Sequence, residues 1–185
     1  PQRKNLTHML KRTYRCGELR ATDVGSEVIV SGWVSNWRDH GGVVFIDLRD
    51  RTGLLQIVFK PDTDPELHAE ARDLRAEFCI SVRGVIERRP GDMENPKLPT
   101  GQVEMVVQEM EVHSQADTPP FEIDSERVSD EIRMRYRYLD LRRPNMQKNL
   151  QFRSDLMQIT RNYLSDNSFL EVETPFLTRS TPEGA

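Results

Sequence analysis

The sequence predicts a mainly β fold, a small barrel of five strands with one helix, followed by a helical segment. Between residues 27 and 113, five stretches alternate apolar with polar residues or are rich in β-branched and aromatic residues, as strands are. Turn residues separate these stretches, and one intervening segment has helical spacing instead. The predicted strands span residues 27–34, 43–50, 54–60, 78–88 and 101–112.

The order of the predicted elements narrows the fold further. Residues 50–53, Asp-Arg-Thr-Gly, predict a hairpin turn between the second and third strands. Residues 64–76 predict a helix, with Asp64 as its N-cap and Pro65 at its first position. Five strands with a helix between the third and fourth is the order of the OB-fold, a barrel that commonly binds oligonucleotides around strands two and three.

The second part of the chain is separated from the barrel by composition and charge. Thr118-Pro119-Pro120 interrupts regular structure, and residues 121–143 predict a connector with a helical turn at 129–135. Residues 104–131 carry nine acids and one base, whereas residues 133–153 carry seven bases and one acid, which indicates a domain junction. An amphipathic helix is predicted at 149–166, and an extended segment at 169–177.

Composition sets limits on compartment and on binding mode. The 185 residues hold two cysteines and four scattered histidines, with no metal-ligand spacing, and no apolar run approaches a membrane span. The first ten residues lack the apolar region of a signal peptide, so we expect a cytoplasmic protein with reduced cysteines and no membrane partner. The net charge is −4, so any RNA recognition must be local and directional rather than a bulk phosphate effect.

Strand alternation predicts which side chains leave the barrel core. The outer face is predicted to carry Phe45, Gln56 and Glu104, which offer a stacking surface, an amide and a carboxylate to an unpaired base. Cross-strand packing alone could also explain an outward Phe, and an outward Gln often has no function. The inward set is Val44, Ile46, Leu48, Leu55, Ile57, Phe59, Val103, Met105 and Val107, and the arginines expected near phosphates are Arg38, Arg49, Arg51 and Arg89.

Several motifs occur in one order along the chain: residues 16–20 (CGELR), 31–34 (SGWV), 38–42 (RDHGG), 45–50 (FIDLRD), 99–101 (PTG), 136–144 (YRYLDLRRP) and 181–185 (TPEGA). Together they resemble the N-terminal region of bacterial-type aspartyl-tRNA synthetases, and the resemblance runs from about Tyr14. The family implies an anticodon-binding OB domain, a hinge and a class II α+β catalytic domain. The implied divisions are an extension at 1–13, the OB domain at 14–116, a hinge at 117–144 and the start of the catalytic domain at 145–185, truncated after its first helix and strand.

The resemblance also implies roles for individual residues. Phe45 would stack on an anticodon base, Gln56 would read the central uracil, and Glu104 would read the first base, a guanine. Arg38 and Arg89 match RNA-contacting arginines, and Glu183 matches a loop carboxylate that holds the ammonium group of aspartate. Phe169 and Pro175 lie in the segment that, with the helix before it, builds a homodimer interface. The full enzyme would use ATP and Mg²⁺, whereas this chain lacks class II motifs 2 and 3 and is expected to be inactive alone.

Two features bear on which tRNA is bound. His40 and Gly91 resemble members of the family that charge tRNA-Asn as well as tRNA-Asp. Asn36-Trp37 departs from the usual arginine cluster, which removes some phosphate contacts and offers an aromatic one. The alternatives are a free-standing OB-fold RNA-binding module, against which residues 136–185 argue, and the front end of an asparaginyl- or lysyl-tRNA synthetase.

Overall fold

The computed structural model describes residues 9–177, and the chain divides into two compact units, Pro1–Glu122 and Ile123–Ala185. In their described residues, the first unit contains five strands and one α-helix, and the second is helical. The strands are β1 (Glu27–His40), β2 (Val43–Asp50), β3 (Gly53–Phe59), β4 (Cys79–Arg88) and β5 (Val103–Ser114). The helices are α1 (Pro65–Arg72), α2 (Asp130–Arg135), α3 (Arg137–Asp140) and α4 (Pro144–Asp166).

The five strands form a closed barrel in the order β1-β2-β3-β5-β4, with α1 between β3 and β4. Neighbouring strands are antiparallel except β3 and β5, which run parallel. This confirms the predicted OB-fold. All nine side chains that alternation placed inward are buried at 2% exposure or less. The hydrophobic core therefore fills the barrel, and the other face of each strand is left for polar groups.

Strand β1 is longer than the sequence predicts, because it continues from Val34 to His40. A bulge between Val34 and Asn36 shifts the register, after which Arg38 pairs with Phe45 and His40 with Val43. The turn that follows is only Gly41 and Gly42, with φ of 62° and 81°, a conformation that favours glycine. Arg38 and His40, which lie beyond the predicted end of the first strand at Val34, therefore lie on a strand.

Helix α1 begins as predicted but ends four residues early, at Arg72. The Asp64 carboxylate accepts hydrogen bonds from the backbone N–H of Glu66 and Leu67, both at 3.0 Å. After the helix, Glu77 accepts two hydrogen bonds from one nitrogen of Arg49, at 2.8 and 2.9 Å. One nitrogen of the Arg49 guanidinium thus belongs to a largely buried ion pair, and the expected phosphate contact of Arg49 stays a prediction.

The second unit differs from prediction at both ends of its long helix. Helix α4 begins at Pro144, five residues earlier than predicted, because proline suits the first helical position. The segment 169–177, predicted to be extended, follows α4 as irregular structure. Within the described residues no strand pairs with it. Among residues 9–177, no helix is long and apolar enough to cross a membrane.

One buried carboxylate organises the connector. Asp140 is fully buried and accepts hydrogen bonds from Arg133 at 2.9 Å, from Arg137 at 2.5 Å and from Arg143 at 3.5 Å. Burial alone would raise the pKa of Asp140, but the hydrogen bonds and charges of these arginines together hold the pKa below its ordinary value. Arg143 also donates to the carbonyl of Ser125 at 3.0 Å, which ties the start of α4 to the connector.

Replacement of Gly84 by alanine is expected to destabilise the barrel. A Cβ at Gly84 would lie 2.2 Å from the carbonyl oxygen of Val106, a backbone atom that cannot move without disturbing the β4–β5 ladder. We expect a loss of about 1–3 kcal/mol in the free energy of unfolding, measured by urea titration. Gly91→Ala is the control, because a Cβ there meets nothing within 4 Å, and its change should stay below about 0.5 kcal/mol. Equal effects would contradict the close approach.

The Asp140 cluster predicts an acid-sensitive connector. Because the folded pKa lies below the unfolded one, the carboxylate's stabilisation is complete above the ordinary aspartate pKa of about 3.9 and is lost as pH falls through the lowered value. The chemical-shift dispersion of the arginine side-chain NMR signals in the connector should stay constant from pH 7 to about 5 and should decrease below about pH 4. Asp140→Asn should show the disordered pattern already at pH 7. Asp130→Asn, which removes a carboxylate 88% exposed, should leave the signals in place.

Candidate nucleic-acid interface

A row of polar side chains crosses the outer wall of the barrel. Asn36 on β1 is the register partner of Asp47 on β2, and Asp47 is the partner of Gln56 on β3. The parallel pairing of Ile57 with Met105 places Glu104 of β5 at the end of the row. Because alternate residues share a face, the inward neighbours that fill the core also direct this row outward.

Hydrogen bonds connect the row from end to end. The amide of Asn36 donates to Oδ2 of Asp47 at 3.3 Å. One nitrogen of Arg38, Nη2, donates to Oδ1 of Asp47 at 2.9 Å and to Oε1 of Gln56 at 3.5 Å. Nε2 of Gln56 donates to Oε2 of Glu104 at 2.8 Å. The Gln56 amide therefore directs its oxygen toward Arg38 and its nitrogen toward Glu104, with one proton and one lone pair beyond these bonds.

A cavity of about 580 Å³ opens over this row. Phe45 presents a half-buried ring to the cavity, and Gln56 presents its amide. A flat apolar surface beside a donor and an acceptor suits a planar, polar-edged ligand such as an unpaired base. The lining residues are Arg38, Asp39, His40, Phe45, Asp47, Gln56, Arg89, Met93, Asn95 and Leu98.

Arg89 is the most unusual group in the cavity. It is 5% exposed, its Nε donates to the carbonyl of Val103 at 3.0 Å, and its buried Nη2 has no hydrogen-bond partner. Burial lowers the pKa of Arg89, while the charges of Glu104 and Asp47 oppose that shift. The guanidinium stays charged and offers an unsatisfied donor, which an acceptor on a ligand could use.

The cavity wall balances its charges. Arg38 and Arg89 face Asp47 and Glu104, and both acids are nearly buried, at 8% and 9% exposure. The cavity lining itself holds two arginines, Arg38 and Arg89, and two acids, Asp39 and Asp47, so it lacks the excess positive charge that drives non-specific binding to phosphates. Recognition at this wall must therefore depend on shape and on directed hydrogen bonds.

The other predicted residues fall in different places. His40 lines the cavity, whereas Gly91 begins a short 3-10 helix, Gly91–Met93, and does not line it. Trp37 donates its indole N–H to the carbonyl of Ala71 at 3.0 Å, so it braces β1 against α1. Glu183 lies outside the described residues.

Sequence reasoning missed part of this cavity wall. Neither Asn36 nor Asp47 is among the residues predicted to bind a base, yet they form half of the polar row. Strand parity places Asp47 on the outer face of β2 and is the signal that indicates it. Met93, Asn95 and Leu98 come from the loop between β4 and β5, where no pattern indicates which side chains turn inward. Within residues 9–177, no group of three or more His, Cys, Asp or Glu is placed to hold a metal ion.

Two family models match the chain. Residues 28–112 match the OB-fold nucleic acid binding domain, and residues 129–185 match the class II tRNA synthetases of the D, K and N group. The first match covers the barrel that holds the cavity, and the second begins at the N-cap of α2.

Similar proteins are known in several organisms. The aspartate–tRNA(Asp/Asn) ligase of Desulfotalea psychrophila is 55% identical over 95% of this chain and 29% of its own length, and that of Syntrophotalea carbinolica is 53% identical over 95% and 30%. The crystal structure of asparaginyl-tRNA synthetase from Pyrococcus horikoshii superposes with a TM-score of 0.79 at 26% identity, over 92% of this chain and 39% of that one. The chain thus spans about 30% of the length of the curated relatives it matches.

Proposed function

Because this chain belongs to the class II tRNA synthetases of the aspartate type, over about 30% of their length, we propose that its barrel binds the anticodon of a tRNA for an aspartate–tRNA ligase. One observation carries the proposal: Phe45 and Gln56 line the same cavity, and Gln56 is held by Arg38 and Glu104 with a donor and an acceptor to spare. An aromatic surface beside an oriented amide is the arrangement that single-stranded RNA modules use to bind unstacked bases.

The three predicted readers have distinct parts in the proposed complex. The ring of Phe45 stacks on a splayed base, and the remaining proton and lone pair of Gln56 meet O4 and N3–H of a central uracil. Glu104 has a second carboxylate oxygen beyond its bond to Gln56, and this oxygen accepts from the N1–H and amino group of guanine. Arg38 and Arg89 also line the cavity and supply further donors.

Acceptance of a second tRNA belongs to the same proposal. The relatives' names give both tRNA-Asp and tRNA-Asn, and His40 lies in the cavity wall at the end of β1. We assign His40 and Gly91 to tolerance at the third anticodon base, the base by which the two tRNAs differ. The space around Gly91 supports this assignment. No atom lies within 4 Å of the position of a Cβ there, which leaves room for a nucleotide beside the 3-10 turn.

The proposed ligase reaction has two steps. Aspartate attacks ATP to give aspartyl-adenylate and pyrophosphate, and the aspartyl group then passes to the 3′ end of the tRNA with release of AMP. We assign neither step to the described residues. Glu183 remains our candidate for holding the aspartate ammonium group. Such a ligase would work in the cytoplasm.

A homodimer of the full enzyme is also proposed. Phe152, Ile159 and Tyr163 of α4 are 65–70% exposed, and Phe169 is 66% exposed. Pro175 lies in the exposed segment that follows. An apolar helix face continuous with an apolar extended segment is the kind of surface that a second copy would cover.

The two alternatives fit the observations less well. A free-standing RNA-binding module would not need residues 129–185, which match a tRNA synthetase model. An asparaginyl or lysyl enzyme shares the barrel, but the aspartate–tRNA ligases match at 53–55% identity, against 26% for the archaeal asparaginyl enzyme.

Loss of the aromatic ring at Phe45 should weaken anticodon binding. We expect Phe45→Ala and Phe45→Leu each to weaken the binding free energy for a stem-loop with the anticodon GUC by about 1–3 kcal/mol. Both variants remove the aromatic ring, and leucine fills much of its space without stacking. The 185-residue chain is titrated against labelled RNA by fluorescence anisotropy. Val112→Ala, which changes an exposed β5 residue outside the cavity lining, is the control. Unchanged affinity for both Phe45 variants would remove Phe45 from the site.

Truncation of Gln56 should erode preference for the central base. Wild type should bind the GUC stem-loop more tightly than the GCC stem-loop. Gln56→Ala should reduce the difference in binding free energy between the two stem-loops by about 1–3 kcal/mol. Gln108→Ala, an exposed glutamine on β5, serves as the matched control. A Gln56→Ala protein that still rejects cytosine to the wild-type degree would overturn the role given to Gln56.

A further inference from the structure

We propose that Asp47 is a positioning residue that sets which way round the Gln56 amide faces the cavity. The inference rests on the proposed function, since it concerns how Gln56 tells one base from another. Asp47 lines the cavity and is hydrogen-bonded to Asn36 and Arg38, and we assign its effect on a base to the bond with Arg38.

The hydrogen bonds that link the Asp47 side chain to the Gln56 side chain share one atom, Nη2 of Arg38. Nη2 of Arg38 carries two protons, one directed to Asp47 at 2.9 Å and the other to Gln56 at 3.5 Å. The Arg38 side chain is 54% exposed, whereas the Asp47 side chain is 12% exposed. A long exposed arginine has many rotamers, so the nearly buried carboxylate fixes the one in which the guanidinium meets the Gln56 oxygen.

The amide orientation decides which pyrimidine fits. With its oxygen toward Arg38 and its nitrogen toward Glu104, the amide presents donor and acceptor in one order. Uracil has an acceptor at position 4 and a donor at N3, whereas cytosine has a donor at position 4 and an acceptor at N3. A reversed amide would therefore suit cytosine in the same pose.

Glu104 alone would fix the orientation of the Gln56 amide less firmly. It holds the nitrogen of Gln56 in the free protein, but in the proposed complex its carboxylate also binds the neighbouring guanine. Asp47 is nearly buried and bonded on both sides, to Asn36 and to Arg38, so it keeps its place when a base enters. The hydrogen bond from Nη2 of Arg38 is then the contact that keeps Oε1 of Gln56 in position.

The test compares stem-loops with the anticodons GUC and GCC, bound to the 185-residue chain at one salt concentration. Asp47→Asn is nearly isosteric, and it replaces the ion pair with Arg38 by a weaker hydrogen bond to an uncharged amide oxygen. We expect the ratio of the two Kd values to fall about five- to tenfold. The control is Glu87→Gln, which removes an acid of β4 bonded to Lys60, and it should keep the wild-type ratio.

A second variant tests the same relay without changing Asp47. Arg38→Gln should lower the ratio to a similar extent, and adding Asp47→Asn to it should lower the ratio no further, because Asp47 acts through Arg38. A merely structural role for Asp47 would lower the unfolding midpoint of the chain and would add to the Arg38 effect. Additive effects, or an Asp47→Asn protein with an undiminished ratio, would overturn the inference. A wild-type chain with no preference between the stem-loops would instead overturn the proposed function.

Discussion

A short parallel pairing between β3 and β5 closes the barrel, and the cavity wall depends on that closure. Ile57 pairs with Met105 and Val58 with Val106, and the first pair is fully buried. The same register brings Gln56 within 2.8 Å of Glu104, a residue 48 positions later in the chain. A slip of one residue would move Gln56 into the core and Ile57 out of it, so the hydrophobic core fixes the recognition surface.

The closed wall also bears on the proposed binding of RNA by an acidic chain. The net charge of −4 disfavours a general attraction to phosphates, and the cavity itself carries as many acids as bases. Pairing Arg38 with Asp47 lowers the non-specific affinity that a free arginine would give. In exchange, the guanidinium is held in one place, where its direction can distinguish ligands. The wall thus favours selectivity over raw affinity.

The parts of the structure set by local pattern could be predicted, and those set by distant contacts could not. Alternation in β2 and β3 gave the inward residues and placed Phe45 and Gln56 outward. The extension of β1 escaped prediction because Ser35 to His40 is polar except for Trp37 and has no apolar alternation, and only pairing with β2 makes it a strand. The contact of Arg38 with Asp47 depends on side-chain rotamers, which strand parity does not determine.

The burial of Arg89 shows where the free barrel is left incomplete. An arginine with a buried nitrogen that has no partner destabilises a fold, and such groups persist where a site uses them. Arg89 lines the cavity and is 5% exposed, and its Nη2 is itself buried, so an acceptor of a base in the cavity would reach that nitrogen only after a movement of the side chain. An acceptor on that base would satisfy the donor, and the desolvation cost already present in the free protein would not be incurred again on binding. The same bond would be missing for a base with a donor at that position, which makes the incomplete group a source of selectivity as well as affinity.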